Sequence, residues 1–270
     1  ICKKSIMEAK GHDRMPLVLF LEFFGTALFI WGIINTDTPT SIPFSLFASV
    51  VIFGDITGGH FNPAVTLGVF ISLGNYAQNI LFCCLIMLAQ FAGGFAAIGL
   101  SWLGTLDIWT QEIKTLTPSH QIPYTGGDPT DWSMYVAVIV NEIICTFLFV
   151  SVILMVKGEH TAGDRKGICA ALVVVSTLLC VISGTNKLGA CFNPAVATGF
   201  TTWSVLRIDT GPLPNNFLYD YLWCYMVGPF LGGLFAGLFH LIHAKFHAPE
   251  EEDKSQLVYD SEVTESLSHE

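Results

Sequence analysis

Apolar residues fall into six long blocks along this chain, at about 16–36, 42–57, 76–103, 131–157, 168–187 and 217–244, separated by polar connections. Each approaches the roughly 20 residues that an α-helix needs to cross a bilayer, the second being the weakest by length. Two shorter blocks, about 62–73 and 193–204, cannot cross alone. At about 1.5 Å per residue each reaches some 15–18 Å, so a pair entering from opposite faces would together span the roughly 30 Å hydrocarbon layer.

Both short blocks open on the same residues. Gly58-Gly59-His60-Phe61-Asn62-Pro63-Ala64-Val65 is answered 131 positions later by Gly189-Ala190-Cys191-Phe192-Asn193-Pro194-Ala195-Val196. Each copy reads as a helix start, with Asn as the capping side chain, Pro at the first helical position where a missing N–H does no harm, and a small residue next. A helix that starts inside apolar sequence leaves its first N–H groups unsatisfied, and lipid cannot satisfy them. Such a start must line a polar cavity or meet a partner, and two copies suggest that they meet each other.

The copies belong to a larger internal repeat, at about 16–103 and 131–244. Glu22-Phe23-Phe24-Gly25-Thr26 is echoed by Glu142-Ile143-Ile144-Cys145-Thr146, and Gln90-Phe91-Ala92-Gly93-Gly94 by Pro229-Phe230-Leu231-Gly232-Gly233, where small residues permit close helix contact. Each half has an odd number of spanning helices, so the second enters the membrane upside down. The expected fold class is an all-α membrane protein with six transmembrane helices plus two re-entrant half-helices in an inverted repeat.

Composition agrees: 52% hydrophobic, 13% charged, 21 Phe, and a mean hydropathy of +0.57 over 270 residues. The net charge of −10 misleads, because the segment 249–270 holds eight acidic residues against Lys254. With little charge elsewhere, nucleic acid is not a credible partner. Most of the eight Cys lie within apolar segments as small hydrophobes, with no disulfide framework or zinc spacing. No cofactor or metal is expected, and no nucleophile–base pair suggests an enzyme. The polar opening from Ile1 has no signal-peptide pattern, and the true N-terminus is left open.

With the N-terminus inside, Lys3, Lys4, Lys10, Arg14, Lys157, Arg165, Lys166, Lys245 and Lys254 are cytoplasmic, and Lys114, Lys187 and Arg207 are outside. That orientation satisfies the positive-inside bias and puts both termini in the cytoplasm. The division is a cytoplasmic segment 1–15, a channel-like domain 16–248 with a polar external loop at about 104–130, and an acidic cytoplasmic tail 249–270.

Over about 16–245 these motifs resemble the aquaporins, or major intrinsic proteins. The resemblance implies a right-handed bundle assembled as a homotetramer in the lipid bilayer, with one pore per subunit passing water and small neutral solutes. The two Asn-Pro-Ala motifs, Asn62-Pro63-Ala64 and Asn193-Pro194-Ala195, would then face the pore centre with Asn62 and Asn193 as donors. Carbonyls of Gly58, Gly59, His60, Gly189, Ala190 and Cys191 would line the approaches. The two half-helix N-termini place roughly half a positive charge each at the midplane, opposing cations.

One departure bears on selectivity. The family usually has Arg after the second Asn-Pro-Ala, and here Val196 stands there. The companion filter positions fall on Ala190, Val181 and a residue near Ile42 to Phe44, taken as Phe44. A filter of this kind is wider or more apolar than that of a strict water channel, favouring ammonia, hydrogen peroxide, urea or glycerol besides water. Ala197, where the glycerol branch carries Asp, weakens glycerol. Apolar residues also close pores by dewetting.

Other residues carry two readings each. Glu22 and Glu142 at membrane depth suggest an ion path by default, yet their symmetry favours braces that accept backbone N–H groups. His60 is a pH sensor or a packed, hydrogen-bonded residue, the second being favoured. Cys191 exposes its thiol to the filter or turns it away. Lys187 is a substitute filter cation or a solvated loop residue, the latter favoured, and Asp55 attracts cations in the inner mouth or caps a loop. Serines and threonines of the tail are phosphorylation sites or solvated positions in a disordered segment. A structural membrane subunit with a closed pore is the main rival to a channel; an ion-coupled transporter has few buried charges from which to build a coupling site.

Overall fold

The computed structural model describes residues 14–35, 40–104, 132–157, 168–184, 190–207 and 220–247. These form eight helices: α1 (Met15–Ile34), α2 (Ser41–Thr57), α3 (Pro63–Leu73), α4 (Tyr76–Gly104), α5 (Trp132–Lys157), α6 (Ile168–Gly184), α7 (Pro194–Arg207) and α8 (Leu222–His247). The loop joining the repeats, the positions of Lys187 and Gly189, and both terminal segments lie outside the described residues.

Four helices, α1, α4, α5 and α8, are long and apolar enough to cross a membrane. The other two expected spans, α2 and α6, have 17 residues each, about 25 Å. The half-helices α3 and α7 have 11 and 14 residues, about 16 and 21 Å. Local chemistry sets their ends. Gly58, at φ 82°, closes α2 with its N–H on Gly54 O, the left-handed turn that Gly adopts without a Cβ penalty. Pro63 and Pro194 occupy first helical positions, with φ already set for a helix.

Helix packing has two-fold regularity. α1 lies against α4 and α2, as α5 lies against α8 and α6. Each half-helix packs on the last helix of the other repeat, α3 on α8 and α7 on α4. Two further pairs, α2 with α6 and α3 with α7, join equivalent elements across the two-fold relation.

Glycine pairs bring these helices together. A methyl group on Gly94 would lie 2.8 Å from Ala195 O, and one on Gly233 would overlap Ala64 O, so α4 and α8 meet the half-helix backbones directly. One residue earlier in each, Gly93 faces Phe23 O and Thr26, and Gly232 faces Ile143 O and Thr146. Thr26 and Thr146 hydroxyls are buried without hydrogen-bond partners. The Glu-x-x-x-Thr echo is therefore polar at its acid and a packing device at its Thr.

The bundle buries a polar network within its core and presents an apolar exterior. Glu22, Gln90, Glu142 and Thr66 are fully buried, while Phe20, Leu81, Leu88 and Ile242 are more than half exposed. Water would penalise both arrangements; a hydrocarbon solvent favours the outside and obliges the inside to satisfy its own polar groups.

Candidate functional site

The two half-helices meet N-terminus to N-terminus, which requires opposed directions. Asn62, extended at φ −158° and ψ 118°, caps α3 by accepting from Ala64 N at 2.8 Å. Asn193 caps α7 in the same way, from Ala195 N at 2.9 Å. Each amide nitrogen then reaches into the other half: Asn62 Nδ2 donates to Phe192 O at 2.8 Å, and Asn193 Nδ2 to Phe61 O at 2.9 Å. A side-chain amide has two N–H donors, so the latch uses one and leaves a second.

For their carbonyls to serve as latches, Phe61 and Phe192 adopt φ values of 47° and 56°. Bulky residues in the left-handed region cost about 1–3 kcal/mol each and need surroundings that enforce the geometry. Here a carboxylate enforces each. Glu22 Oε1 accepts from His60 N at 3.1 Å and Oε2 from Phe61 N at 2.9 Å. Glu142 Oε1 accepts from Cys191 N at 2.6 Å and Oε2 from Phe192 N at 2.9 Å. Ring packing adds to the hold, with Phe61 against Gly25 and Phe53, and Phe192 beside Phe149.

Beyond the backbone clamp the halves differ. Gln90 Nε2 donates to Glu22 Oε2 and is within 2.8 Å of Thr66 Oγ1, which in turn neighbours His60 Nδ1 at 3.2 Å and Asn62 O at 3.1 Å. The same places in the second repeat hold Pro229, Ala197 and Cys191. Among the described residues no side chain donates to Glu142. The thiol of Cys191 lies 3.1 Å from Asn193 O and is buried, which favours the turned-away reading.

The expected filter positions are distributed unevenly. Val196 belongs to the buried core, while Ala190 and Val181 pack against it partly exposed. Phe44 does not join them: it is 64% exposed, on the outward face of α2 with Ala48 and Val51. Two residues is about 200° of helix rotation, so Ile42 instead lies in register with buried Leu46 and Ser49 and packs against the core. Ile42 therefore replaces Phe44 as the inward residue of α2. His60 is buried and hydrogen-bonded, and Asp55 is exposed near the end of α2. Gly58 and Gly59 are half-buried on the approach to the first motif; Gly189, its counterpart, is outside the described residues.

Sequence reasoning missed Gln90 and Thr57 as partners of Glu22, Thr66 as the partner of Gln90, and Phe61 and Phe192 as latches. An intramembrane Gln was a usable signal, since polar side chains at that depth need partners. The latch carbonyls had none, because any residue supplies a carbonyl.

Apolar-faced helices surrounding two short helices that meet at capping Asn residues define an integral membrane protein of the re-entrant, inverted-repeat class. Residues 34–240 match the major intrinsic protein family, and the chain belongs to it. Aquaporin-8 of Mus musculus is 27% identical over 243 residues, covering 84% of this chain and 82% of the relative. An aquaglyceroporin of Toxoplasma gondii is 27% identical, covering 85% and 80%. Aquaporin-4 of Milnesium tardigradum is 24% identical and covers 77% of this chain, which spans only 60% of that relative's length. The aquaglyceroporin from Plasmodium falciparum superposes with a TM-score of 0.67 at 19% identity, covering 84% of this chain and 95% of that one, and so shares the fold.

Proposed function

We propose that this protein is a passive membrane channel for water and other small neutral solutes, with one pore per subunit of a homotetramer and both termini in the cytoplasm. The reciprocal latch between Asn62 and Phe192 and between Asn193 and Phe61 carries the reading. It holds two positive helix ends and two spare amide donors at one point. A water there offers both lone pairs to the amides and cannot pass a proton along the file.

The filter assigned here is Ile42, Val181, Ala190 and Val196, with carbonyls of Gly58, Gly59, His60, Gly189, Ala190 and Cys191 along the approaches. It has no side-chain donor, so a permeant forgoes hydrogen bonds there. Solutes with few polar groups, ammonia and hydrogen peroxide, are favoured over urea and glycerol. The packing of all four filter residues on one apolar core also supports a second reading, a pore closed by dewetting in a structural subunit.

Stopped-flow light scattering of proteoliposomes separates these. Under an osmotic gradient, then solute gradients, the wild type should pass water and small solutes, and Val196→Arg should raise the water-to-solute ratio. No flux above empty vesicles for either would sink the channel and leave the closed subunit.

A further inference from the structure

We propose that Trp132, Tyr135, Tyr221 and Trp223, with Asp220 beside them, hold the trimethylammonium headgroup of a choline lipid at one end of the α5–α8 pair. The inference needs the chain to sit in a bilayer and is independent of what the pore carries. A quaternary ammonium ion has no N–H donors and is attracted to the negative faces of aromatic rings. A site for it therefore needs several rings at headgroup depth, ring surface left open, and an anion close by.

α5 and α8 run parallel: Gly228 lies against Ile139 O and Glu142, and Gly232 against Ile143 O and Thr146, so both numberings advance together. Their N-terminal ends consequently meet at one membrane surface. There Tyr135 is the hub, its ring centroid 5.9 Å from that of Trp132, 4.9 Å from Tyr221 and 5.5 Å from Trp223. The Tyr221 carbonyl accepts from the N–H groups of Cys224 and Tyr225 at 3.0 and 3.2 Å, which ties Tyr221 to the first turn of α8. Trp132 is 70% and Trp223 41% exposed, so indole surface is left open after the rings have packed on one another. Asp220 immediately precedes Tyr221, is half-buried, and lies within electrostatic reach of Tyr135.

Trp and Tyr at the ends of spanning helices commonly serve as interfacial anchors, a role that needs neither contact between rings nor an acid. The internal repeat shows that helix packing does not need them either. With Glu22 aligned on Glu142 and Gln90 on Pro229, Met15 stands in the place of Tyr135, Phe82 of Tyr221, Cys84 of Trp223 and Leu81 of Asp220. α1 packs on α4 as α5 packs on α8, without the cluster. What the second repeat adds is aromatic surface and one carboxylate at headgroup depth, the two features that attract a methylated cation. A primary ammonium suits the place less well, being compact and strongly hydrated, and an anionic headgroup meets Asp220 as a like charge. With both termini in the cytoplasm, as proposed above, the site faces the outer leaflet.

The experiment equilibrates the purified full chain in detergent with equal amounts of dioleoyl phosphatidylcholine, phosphatidylethanolamine and phosphatidylglycerol. After gel filtration, the lipids that stay bound are counted by mass spectrometry. The wild type should retain phosphatidylcholine over either of the others by about five-fold or more. Trp132→Leu and Trp223→Leu keep an apolar anchor and remove the aromatic face, and Asp220→Asn removes the charge; each should lower that ratio by about three-fold or more. Phe20→Leu, at an exposed ring of α1 outside the cluster, should leave it unchanged. The ratio is internal to each sample and gel filtration selects folded protein, so a loss of yield does not imitate the result. Equal retention of the three lipids by the wild type would overturn the proposal and leave the rings as general interfacial anchors. A choline preference that survives both Leu substitutions and Asp220→Asn would overturn it as well, by placing the headgroup elsewhere on the bundle.

Discussion

Replacing each clamp carboxylate by leucine tests whether the two acids hold the loops that carry the half-helices. In Glu142→Leu the N–H groups of Cys191 and Phe192 lose their acceptors in a buried site. Each stranded donor costs about 1–3 kcal/mol, so the loss is about 2–6 kcal/mol. Glu22→Leu strands the N–H groups of His60 and Phe61, one donor of Gln90 and the hydroxyl of Thr57, for about 4–12 kcal/mol. Removing a buried anion returns part of its desolvation cost, but it does so in both variants. Their difference therefore measures the side-chain contacts of Glu22 with Gln90 and Thr57, at about 1–3 kcal/mol each. In addition, Phe61 and Phe192 lose the partners that hold them at positive φ. Thermal unfolding in detergent, followed by size-exclusion fluorescence, should show both variants lowered by on the order of 10 °C, with Glu22→Leu the less stable. Midpoints within about 2 °C of the wild type, a shift worth under about 1 kcal/mol, would refute the clamp. Glu142→Leu melting below Glu22→Leu would refute the asymmetry.

Two further substitutions probe the packing and the corrected face of α2. Gly233→Ala drives a methyl group into Ala64 O on a backbone that cannot yield, so it should cost about 1–3 kcal/mol or more and reduce the monodisperse fraction, whereas Gly99→Ala, in open space, should not. Equal yields of the two variants would contradict the close contact of α8 with α3. Ile42→Ala should change solute uptake several-fold relative to water, while Phe44→Ala on the outward face should leave that ratio alone; a larger effect from Phe44 would return the filter to it.

Much of the fold was legible because bilayer-spanning elements announce themselves locally. Run length separated spans from half-helices, and the Asn-Pro-Ala caps marked where α3 and α7 begin. The odd number of spans per repeat implied that the caps meet, as the latch bonds confirm. At its C-terminal end the last helix, α8, runs to His247, three residues past the expected 244.

What the chain determined by itself was its solvent, its repeat and the paired helix starts, since each depends on a short run of residue types and their spacing. Only the tertiary structure decided which side of α2 faces inward, because Ile42 and Phe44 are equally apolar and differ by rotation about the helix axis. Likewise it alone joined Gln90 and, through it, Thr66 to Glu22 and withheld such partners from Glu142, since those hydrogen bonds link residues dozens of positions apart. Side-chain direction and long-range partnership arise when helices pack, and no local pattern encodes them.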